Sequence, residues 1–248
     1  MRHLLKLSYD GTRYHGWQIQ PNSMTVQGTL NEVLTNILEV PTETIGCGRT
    51  DTGVHALVFY AQFDYIKELE EKFIMRVNFL LPDDIRIHSM QKVRSDFNAR
   101  FDAQSRSYEY VTNYTLNPFI SKYALLLHKK PNFAAMNQAA LQLLKYKSFA
   151  SFSKTGATNK TDFCNITEAE WREHEQGIWK FHITSDRFLR GMVRAIVGTL
   201  LNIGFEKITE LDFIKIIEGN NRILAGESVA AHGLFLTDVQ YATQKLNI

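Results

Sequence analysis

The stretch LVFYAQFDYIKELEEKFIMRVNFLLPDDIRIHSMQKV, residues 57–93, decides the fold class. Its first ten residues are rich in aromatic and branched side chains and predict a strand, and DIRIHSMQKV, 84–93, predicts another. The segment between them, 67–81, predicts a helix, because apolar residues recur on one helical face: Leu69, Phe73, Val77 and Leu80. The stretch is therefore predicted to be a β-α-β unit.

The residues before this stretch extend it into a larger motif. RHLLKLSY, 2–9, alternates as a strand does, and a short strand is expected around Ile45. Between them, TVQGTLNEVLTNILEV, 25–40, has apolar residues at helical spacing and Thr25 as a plausible N-cap. The resulting order, β-α-β-β-α-β, is that of a ferredoxin-like unit.

The second half can be divided in a similar way. Its predicted strands are 106–114, 123–128, 166–173, 178–184 and 234–241. Its predicted helices run from Asn132 to about Lys145, over 188–203 and over 209–218. The segment 151–165 is polar, rich in small residues, and is interpreted as a long loop. We therefore predict an α+β fold of two ferredoxin-like halves, 1–95 and 96–248, with mainly antiparallel sheets side by side, helices on one face and a cleft between the halves.

Composition restricts the class of protein. The chain has 248 residues, 44% of them hydrophobic, which is enough to bury a large core. It has no run of about 18 apolar residues, and its first residues do not resemble a signal peptide, so we expect a cytoplasmic protein that does not enter a membrane. The two cysteines, Cys47 and Cys164, are too few for a disulfide framework and are expected to be reduced packing residues. A net charge of +2 neither requires nor excludes a nucleic acid.

Candidate chemistry lies in GCGRTDTGVHA, residues 46–56. One interpretation is an ordinary turn in which Asp51 accepts hydrogen bonds from nearby amides. The other is a reactive carboxylate: Arg49 precedes Asp51 by two positions, so both side chains would share a face of an extended chain and could pair. His55 follows within reach. Asp-Thr-Gly also occurs in dimeric aspartic proteases, but an adjacent arginine disfavours the shared proton which that chemistry needs.

Three other segments carry possible RNA contacts. SYDGTRYHGWQIQP, 8–21, mixes aromatic and polar side chains, which suits either base contacts or a connection that buries Trp17 in the core. Tyr108 and Tyr110 would share one side of a strand with Arg106, one tyrosine in the core and the other available to stack on a base. In DRFLRGMVRAIVGTLLNIG, 186–204, an acid-free helical stripe suits carboxylates or phosphates: Arg187, Arg190, Gly191, Arg194 and Gly198.

Neither metal-ligand spacing nor a glycine-rich nucleotide loop is present in the sequence. An enzyme of this sequence is therefore expected to work without a metal ion and without an organic cofactor.

Five segments together, YDGTRYHGWQ, GRTDTGVHA, FNARFDAQSRSYEY, FLRGMVRAIVG and GLFL, resemble in this order the tRNA pseudouridine synthase A family over nearly the whole chain. The GRTDTGVH part is highly specific. The resemblance implies two ferredoxin-like halves in one continuous sheet, a homodimer, and a tRNA substrate in whose anticodon arm uridines 38 to 40 are isomerised to pseudouridine.

The resemblance also implies roles for single residues. Asp51 would be the catalytic aspartate, Arg49 would help to extrude the target nucleotide and occupy its place, Tyr108 would stack on the uracil, and Arg190 would pair with the Asp51 carboxylate. An apolar wall would come from Leu234 and Leu236. Candidate RNA contacts are Arg106, Lys160, Arg187 and Arg194. The family commonly has an arginine where this chain has Lys160 followed by TDFCN, so the phosphate contacts of the 151–165 loop stay open.

The main alternative is a non-catalytic RNA-binding protein built of tandem ferredoxin-like units. Such a protein would keep its basic and aromatic groups but would tolerate Asp51→Asn, whereas a pseudouridine synthase would not.

Overall fold

A computed structural model describes residues 1–115, 117–156 and 160–246 of the chain. In order along the chain, the strands are β1 (Arg2–Tyr9), β2 (Ile45–Gly46), β3 (His55–Asp64), β4 (Ile85–Val93), β5 (Ala103–Asn113), β6 (Leu125–Leu126), β7 (Ile166–Glu175), β8 (Ile178–Ser185) and β9 (Leu234–Tyr241). The helices are α1 (Val26–Leu38), α2 (Phe73–Leu80), α3 (Phe133–Gln142), α4 (Met192–Gly204), α5 (Glu210–Glu218) and α6 (Thr243–Leu246). The fold is α+β with mainly antiparallel strands, as predicted.

The chain forms two compact units. The first contains residues 1–105 and 235–248, and the second contains residues 106–234. The last strand, β9, thus belongs almost entirely to the first unit. No helix of the described residues is both long and apolar enough to cross a membrane.

The first unit is a sheet with two main helices. Its strands run in the order β4-β1-β3-β9, with β2 also paired to β3. The pairs of β1 with β3 and β4 and of β2 with β3 are antiparallel, and β9 lies parallel to β3. Helix α1 begins where the sequence predicts, because the Thr25 hydroxyl accepts the Gly28 N–H at 3.2 Å and so caps the helix.

The prediction for α2 was wrong about its start. The helix begins at Phe73 rather than at Lys67, and Lys72, which precedes it, offers no side-chain acceptor to the first amides. Phe73 and Val77 are buried as predicted, but Leu80 is 52% exposed. The apolar face of α2 is therefore buried in its first five residues, from Phe73 to Val77, and not at its C-terminal end.

The strands of the second unit run in the order β5-β8-β7, with the short β6 parallel to β5. Tyr110, Phe181 and Trp171 stand opposite one another across these strands and are fully buried. Phe133 of α3 contacts Trp171 and stacks on Trp179 with ring centroids 3.8 Å apart. Each such side chain contributes about 1.5–3 kcal/mol by its burial, which makes this face the core of the unit.

Three elements of the second unit are shorter than predicted. Helix α3 ends at Gln142, and the last three residues of the predicted helix, Leu143–Lys145, form a 3-10 turn. Strand β6 covers only Leu125–Leu126 of the predicted 123–128. Helix α4 begins at Met192 instead of 188, because Gly191 adopts φ +71°, a left-handed conformation that interrupts a right-handed helix.

Candidate active site

Asp51 lies in the connection between β2 and β3, as the sequence predicts. Its side chain is half-buried, and that of Arg49 is exposed. Both residues belong to a loop, not to the extended strand that the two-residue spacing suggested. After Asp51 the chain turns: its carbonyl oxygen accepts the Val54 N–H at 3.1 Å, and Gly53 takes φ +76°. Asp51 therefore lies at a turn, as the first interpretation expects, and its side chain is partly accessible.

The last residue of β1 and the segment that follows it bind the residues on both sides of Asp51. The Tyr9 hydroxyl and Thr50 Oγ1 are 2.8 Å apart in a buried environment. The backbone N–H of Trp17 donates to the Thr50 carbonyl oxygen at 3.2 Å, and the backbone N–H of Gly53 donates to the Tyr14 carbonyl oxygen at 3.3 Å. The residues flanking Asp51 are therefore anchored, while its side chain remains partly accessible.

Two glycines allow the close approach of these segments. A Cβ atom on Gly16, which has φ +85°, would lie 2.4 Å from the Thr50 carbonyl oxygen. A Cβ on Gly11 would lie 2.0 Å from the Val54 carbonyl oxygen. Both separations are shorter than any real contact, so only glycine fits at these two positions.

Trp17 belongs to the core, which decides between the two interpretations of residues 8–21 for this residue. It is 2% exposed, and its ring centroid lies 4.1 Å from that of Phe59. Its indole ring also packs against the Cα of Gly46, where a Cβ would lie 2.6 Å from the ring. Tyr14 is also buried, and its hydroxyl donates to Asp84 at 2.6 Å. Burial, followed by this hydrogen bond, raises the pKa of Tyr14.

Strand β3 leaves the Asp51 loop next to β9. His55 is buried, with Nδ1 2.9 Å from Asp10 Oδ1, and its ring stacks on Phe235 at 4.6 Å. In the ladder, His55 pairs with Phe235 and Ala56 pairs with Leu236. The predicted apolar-wall residue Leu236 is thus on the neighbouring strand at the exit of the loop, and it is 1% exposed.

The two tyrosines of β5 divide as the sequence predicts. Tyr110 is fully buried and donates its hydroxyl to the Ala230 carbonyl oxygen at 2.8 Å; burial raises its pKa. Tyr108 is half-buried and meets Phe188 edge-on, with ring centroids 5.2 Å apart and an interplanar angle of 90°. Leu234, in the same unit, is buried.

The predicted arginine stripe is not one helical face. Because α4 begins at Met192, Arg187 and Arg190 precede the helix, and only Arg194 lies on it. Arg187 Nη1 donates to the Thr161 carbonyl oxygen at 3.2 Å, and Arg194 Nε donates to that of Val229 at 2.7 Å. Arg106 Nη1 donates to the Asp186 carbonyl oxygen at 2.8 Å.

Gly198 also differs from its predicted use. A Cβ at this position would lie 1.9 Å from the Glu227 carbonyl oxygen, so the backbone that approaches Gly198 belongs to the protein's own chain. The small residue serves internal packing of the second unit.

One basic feature was missed by the sequence analysis. Residues 110–161 contain seven lysines, no arginine and no acidic residue, although the whole chain has nearly balanced charge. All seven lysines are exposed: Lys122, Lys129, Lys130, Lys145, Lys147, Lys154 and Lys160. The backbone N–H of Lys154 donates to the Arg190 carbonyl oxygen at 2.8 Å, which places this lysine beside a predicted site residue. Counting acidic residues along the chain could have found this segment.

Both cysteines are buried and reduced. The Tyr60 N–H donates to Cys47 Sγ at 3.4 Å, and burial raises the pKa of the Cys164 thiol to about 12. These surroundings agree with packing roles.

Comparisons with known proteins identify the family. A family profile described as tRNA pseudouridine synthase matches residues 139–242. The tRNA pseudouridine synthase A of Bacteroides fragilis is 47% identical over 242 residues, which cover 97% of this chain and 96% of that protein. That of Porphyromonas gingivalis is 46% identical over 97% of both chains, and that of Acetivibrio thermocellus is 39% identical over 96% of this chain and 98% of its own.

The chain belongs to the tRNA pseudouridine synthase A family. In this member, the candidate residues divide between the two units. The first unit holds Arg49, Asp51 and Leu236. The second holds Arg106, Tyr108, Lys160, Arg187, Arg190, Arg194 and Leu234.

Proposed function

We propose that the protein converts uridines 38, 39 and 40 of the tRNA anticodon arm to pseudouridine, with Asp51 as the essential catalytic residue. Membership of the family makes it a tRNA-modifying isomerase. The observation that carries the proposal is the GRTDTGVH segment: in a chain 47% identical to a tRNA pseudouridine synthase A, this segment forms an anchored loop with Asp51 at its partly accessible centre.

The chemistry needs a carboxylate but no cofactor. The bond from uracil N1 to the sugar C1′ breaks, the ring turns, and a bond from C5 to C1′ forms. The hydrogen on C5 leaves to solvent and N1 gains a proton, so nothing is oxidised or reduced. Asp51 would act as nucleophile or base, in a pocket from which water is excluded.

The remaining site residues would bind and orient the nucleotide. Arg49 would help to extrude it and occupy its place, Tyr108 would stack on the detached uracil, and Arg190 would pair with Asp51. Leu234 and Leu236 would form the apolar wall. Arg106, Lys160, Arg187 and Arg194 would hold phosphates, because extruding a base costs a few kcal/mol that backbone contacts must offset.

We also propose the assembly and setting that the family resemblance implies. The protein would be a cytoplasmic homodimer. Its two ferredoxin-like halves, 1–95 and 96–248, would form a continuous sheet with a cleft in which these residues act on one nucleotide.

The test measures tritium release from tRNA transcripts labelled at uracil C5. Wild-type protein should release tritium into water from transcripts with uridine at positions 38 to 40, and should release none when all three positions carry cytidine. Asp51→Asn removes the charge at nearly constant volume and should abolish release while tRNA binding persists.

Each other result argues against a specific part of the proposal. Equal release by Asp51→Asn would refute the assignment of the catalytic residue. Binding without release by the wild type would indicate the non-catalytic RNA-binding protein instead. Release from the transcript with three cytidines would place the target uridine outside the anticodon arm.

A further inference from the structure

We propose that Tyr9 is a positioning residue for Asp51, acting through the hydroxyl group of Thr50. The inference rests on the proposed catalytic role of Asp51. It concerns the loop backbone from which the Asp51 side chain projects, and it assigns Tyr9 no contact with the substrate.

The two hydroxyl groups form a buried pair. Tyr9 is 4% exposed and Thr50 is 7% exposed, and their oxygens are 2.8 Å apart. A buried hydroxyl that loses its partner is left with an unpaired polar atom, which a native structure avoids. The hydrogen bond therefore sets where Thr50 can lie.

Tyr9 is itself held by a rigid element. It ends β1, where it pairs with Ala56 of β3 and Ile85 of β4. Its ring contacts Phe59 with centroids 5.5 Å apart. Groups supplied by paired strands hold a site more accurately than groups supplied by loops, so this hydroxyl is a fixed reference point for the loop.

Thr50 passes this constraint to Asp51 directly, because the two residues are joined by a peptide bond. The Thr50 carbonyl oxygen accepts the Trp17 N–H at 3.2 Å, so both the side chain and the backbone of Thr50 are held. A catalytic group misplaced by about 1 Å can cost roughly 100-fold in rate. Loss of the Tyr9 hydroxyl should therefore slow the chemical step.

A double-mutant cycle tests this mechanism. The experiment measures single-turnover tritium release from C5-labelled tRNA by three variants: Tyr9→Phe, Thr50→Val and the double variant. Protein is in excess over tRNA, and the temperature is well below the unfolding midpoint of each variant. We expect each single variant to lose about tenfold in rate with tRNA Kd changed less than about twofold, and the double variant to be no slower than the slower single, because coupled residues are not additive.

Two further variants separate positioning from general stability. Thr50→Ser keeps the hydroxyl group and should retain the rate within about twofold, a difference small compared with the cost of a lost hydrogen bond. Tyr241→Phe removes a hydroxyl that donates to the Ala99 carbonyl oxygen at 2.6 Å in the same unit, in a hydrogen bond that involves neither Thr50 nor Asp51. It should lower the unfolding midpoint and leave the rate unchanged.

The inference fails if Tyr9→Phe is as fast as wild type, or if the rate losses of the two single variants multiply in the double variant. It also fails if the rate losses among the variants are proportional to their changes in tRNA Kd or in unfolding midpoint. Asp51→Asn, measured in parallel, separates this failure from that of the proposed function. If Asp51→Asn is inactive while Tyr9→Phe is unaffected, only the role of Tyr9 is refuted. If Asp51→Asn keeps the wild-type rate, the catalytic assignment and the inference fail together.

Discussion

The imidazole ring of His3 stacks on the ring of Phe63, with centroids 5.2 Å apart and planes inclined by 23°. His3 is 1% exposed, and neither ring nitrogen has a hydrogen-bond partner in the described part of the chain. Burial is the main cause that lowers its pKa, followed by the N-terminal amine and Lys92; Glu68 and Asp64 act weakly in the opposite direction. The first unit thus holds a neutral histidine in an apolar setting.

The buried histidine predicts a loss of stability in mild acid. Because the pKa is lower in the folded than in the unfolded protein, the unfolded chain binds the proton first as pH falls below the ordinary histidine value. The contribution of His3 to the free energy of unfolding should be fully present above about pH 6.5. Below that pH the free energy of unfolding should fall by up to about 1.4 kcal/mol per pH unit for this one group. Urea unfolding at pH 7.5 and at pH 5.5 measures the decline.

Two variants isolate the contribution of His3 from that of other titrating groups, including His182, whose pKa burial also lowers. His3→Leu removes the group and should make the decline smaller. His174→Gln changes an exposed histidine and should leave it as in the wild type. An unchanged decline in His3→Leu would show that His3 does not carry the effect.

Two glycines near Asp51 should differ in how much stability is lost when each is replaced by alanine. Gly16→Ala forces a Cβ to 2.4 Å from the Thr50 carbonyl oxygen at φ +85°, so we expect a loss of about 1–3 kcal/mol in the free energy of unfolding. Gly48→Ala is the matched control, because a Cβ there meets no atom within 4 Å. The free energy of unfolding of this variant should stay within about 0.5 kcal/mol of wild type, because the added methyl group meets no other atom. Equal losses would contradict the close approach at Gly16.

Local patterns in the sequence predicted much of the fold. Strands β1 and β9 begin and end where the alternation of their residues places them, and helix α1 begins where its N-cap places it. The start of α4 could not be predicted in this way, because it depends on the left-handed conformation of Gly191. Glycine adopts left-handed and right-handed conformations about equally readily, so its presence does not predict which one occurs.

The candidate site was less predictable than the elements around it. The position of Asp51 in a connection between strands followed from the sequence. Its anchoring did not, because the Tyr9–Thr50 and Tyr14–Gly53 contacts join segments about 40 residues apart, and no periodicity encodes such pairs. The burial of Trp17 was undecided for the same reason: it depends on Gly46, which a separate strand brings opposite its ring.

The proposed role of Tyr108 predicts a dependence on the ring rather than on the hydroxyl. Stacking of a base on an aromatic ring is worth about 1–3 kcal/mol, so Tyr108→Leu should lose roughly 5- to 150-fold in single-turnover tritium release, and Tyr108→Phe should lose little. Tyr110→Phe is the control on the same strand: it removes the hydrogen bond to Ala230 and should lower stability without slowing release. A large loss in Tyr108→Phe would mean that the hydroxyl, not the ring, is used.

The acid-free segment 110–161 predicts part of the salt dependence of tRNA binding. Lysines that contact phosphates release counterions, so binding weakens as salt concentration rises. Replacing Lys122, Lys154 and Lys160 together by glutamine should weaken binding and reduce the slope of log K against log salt by roughly 0.7–0.9 for each lysine that contacts a phosphate. Filter binding between 50 and about 200 mM salt covers the range in which such slopes are usually resolved.

The control for this experiment changes the same amount of charge at lysines that already have acidic partners. Lys92 pairs with Glu68 at 2.6 Å, Lys215 with Asp212 at 3.6 Å, and Lys245 with Asp102 at 3.1 Å. Replacing these three by glutamine lowers the net charge equally but removes cations that are locally neutralised, so the slope should stay near that of wild type. If both triple variants lower the slope equally, net charge alone governs binding, and the segment 110–161 has no special part in holding tRNA.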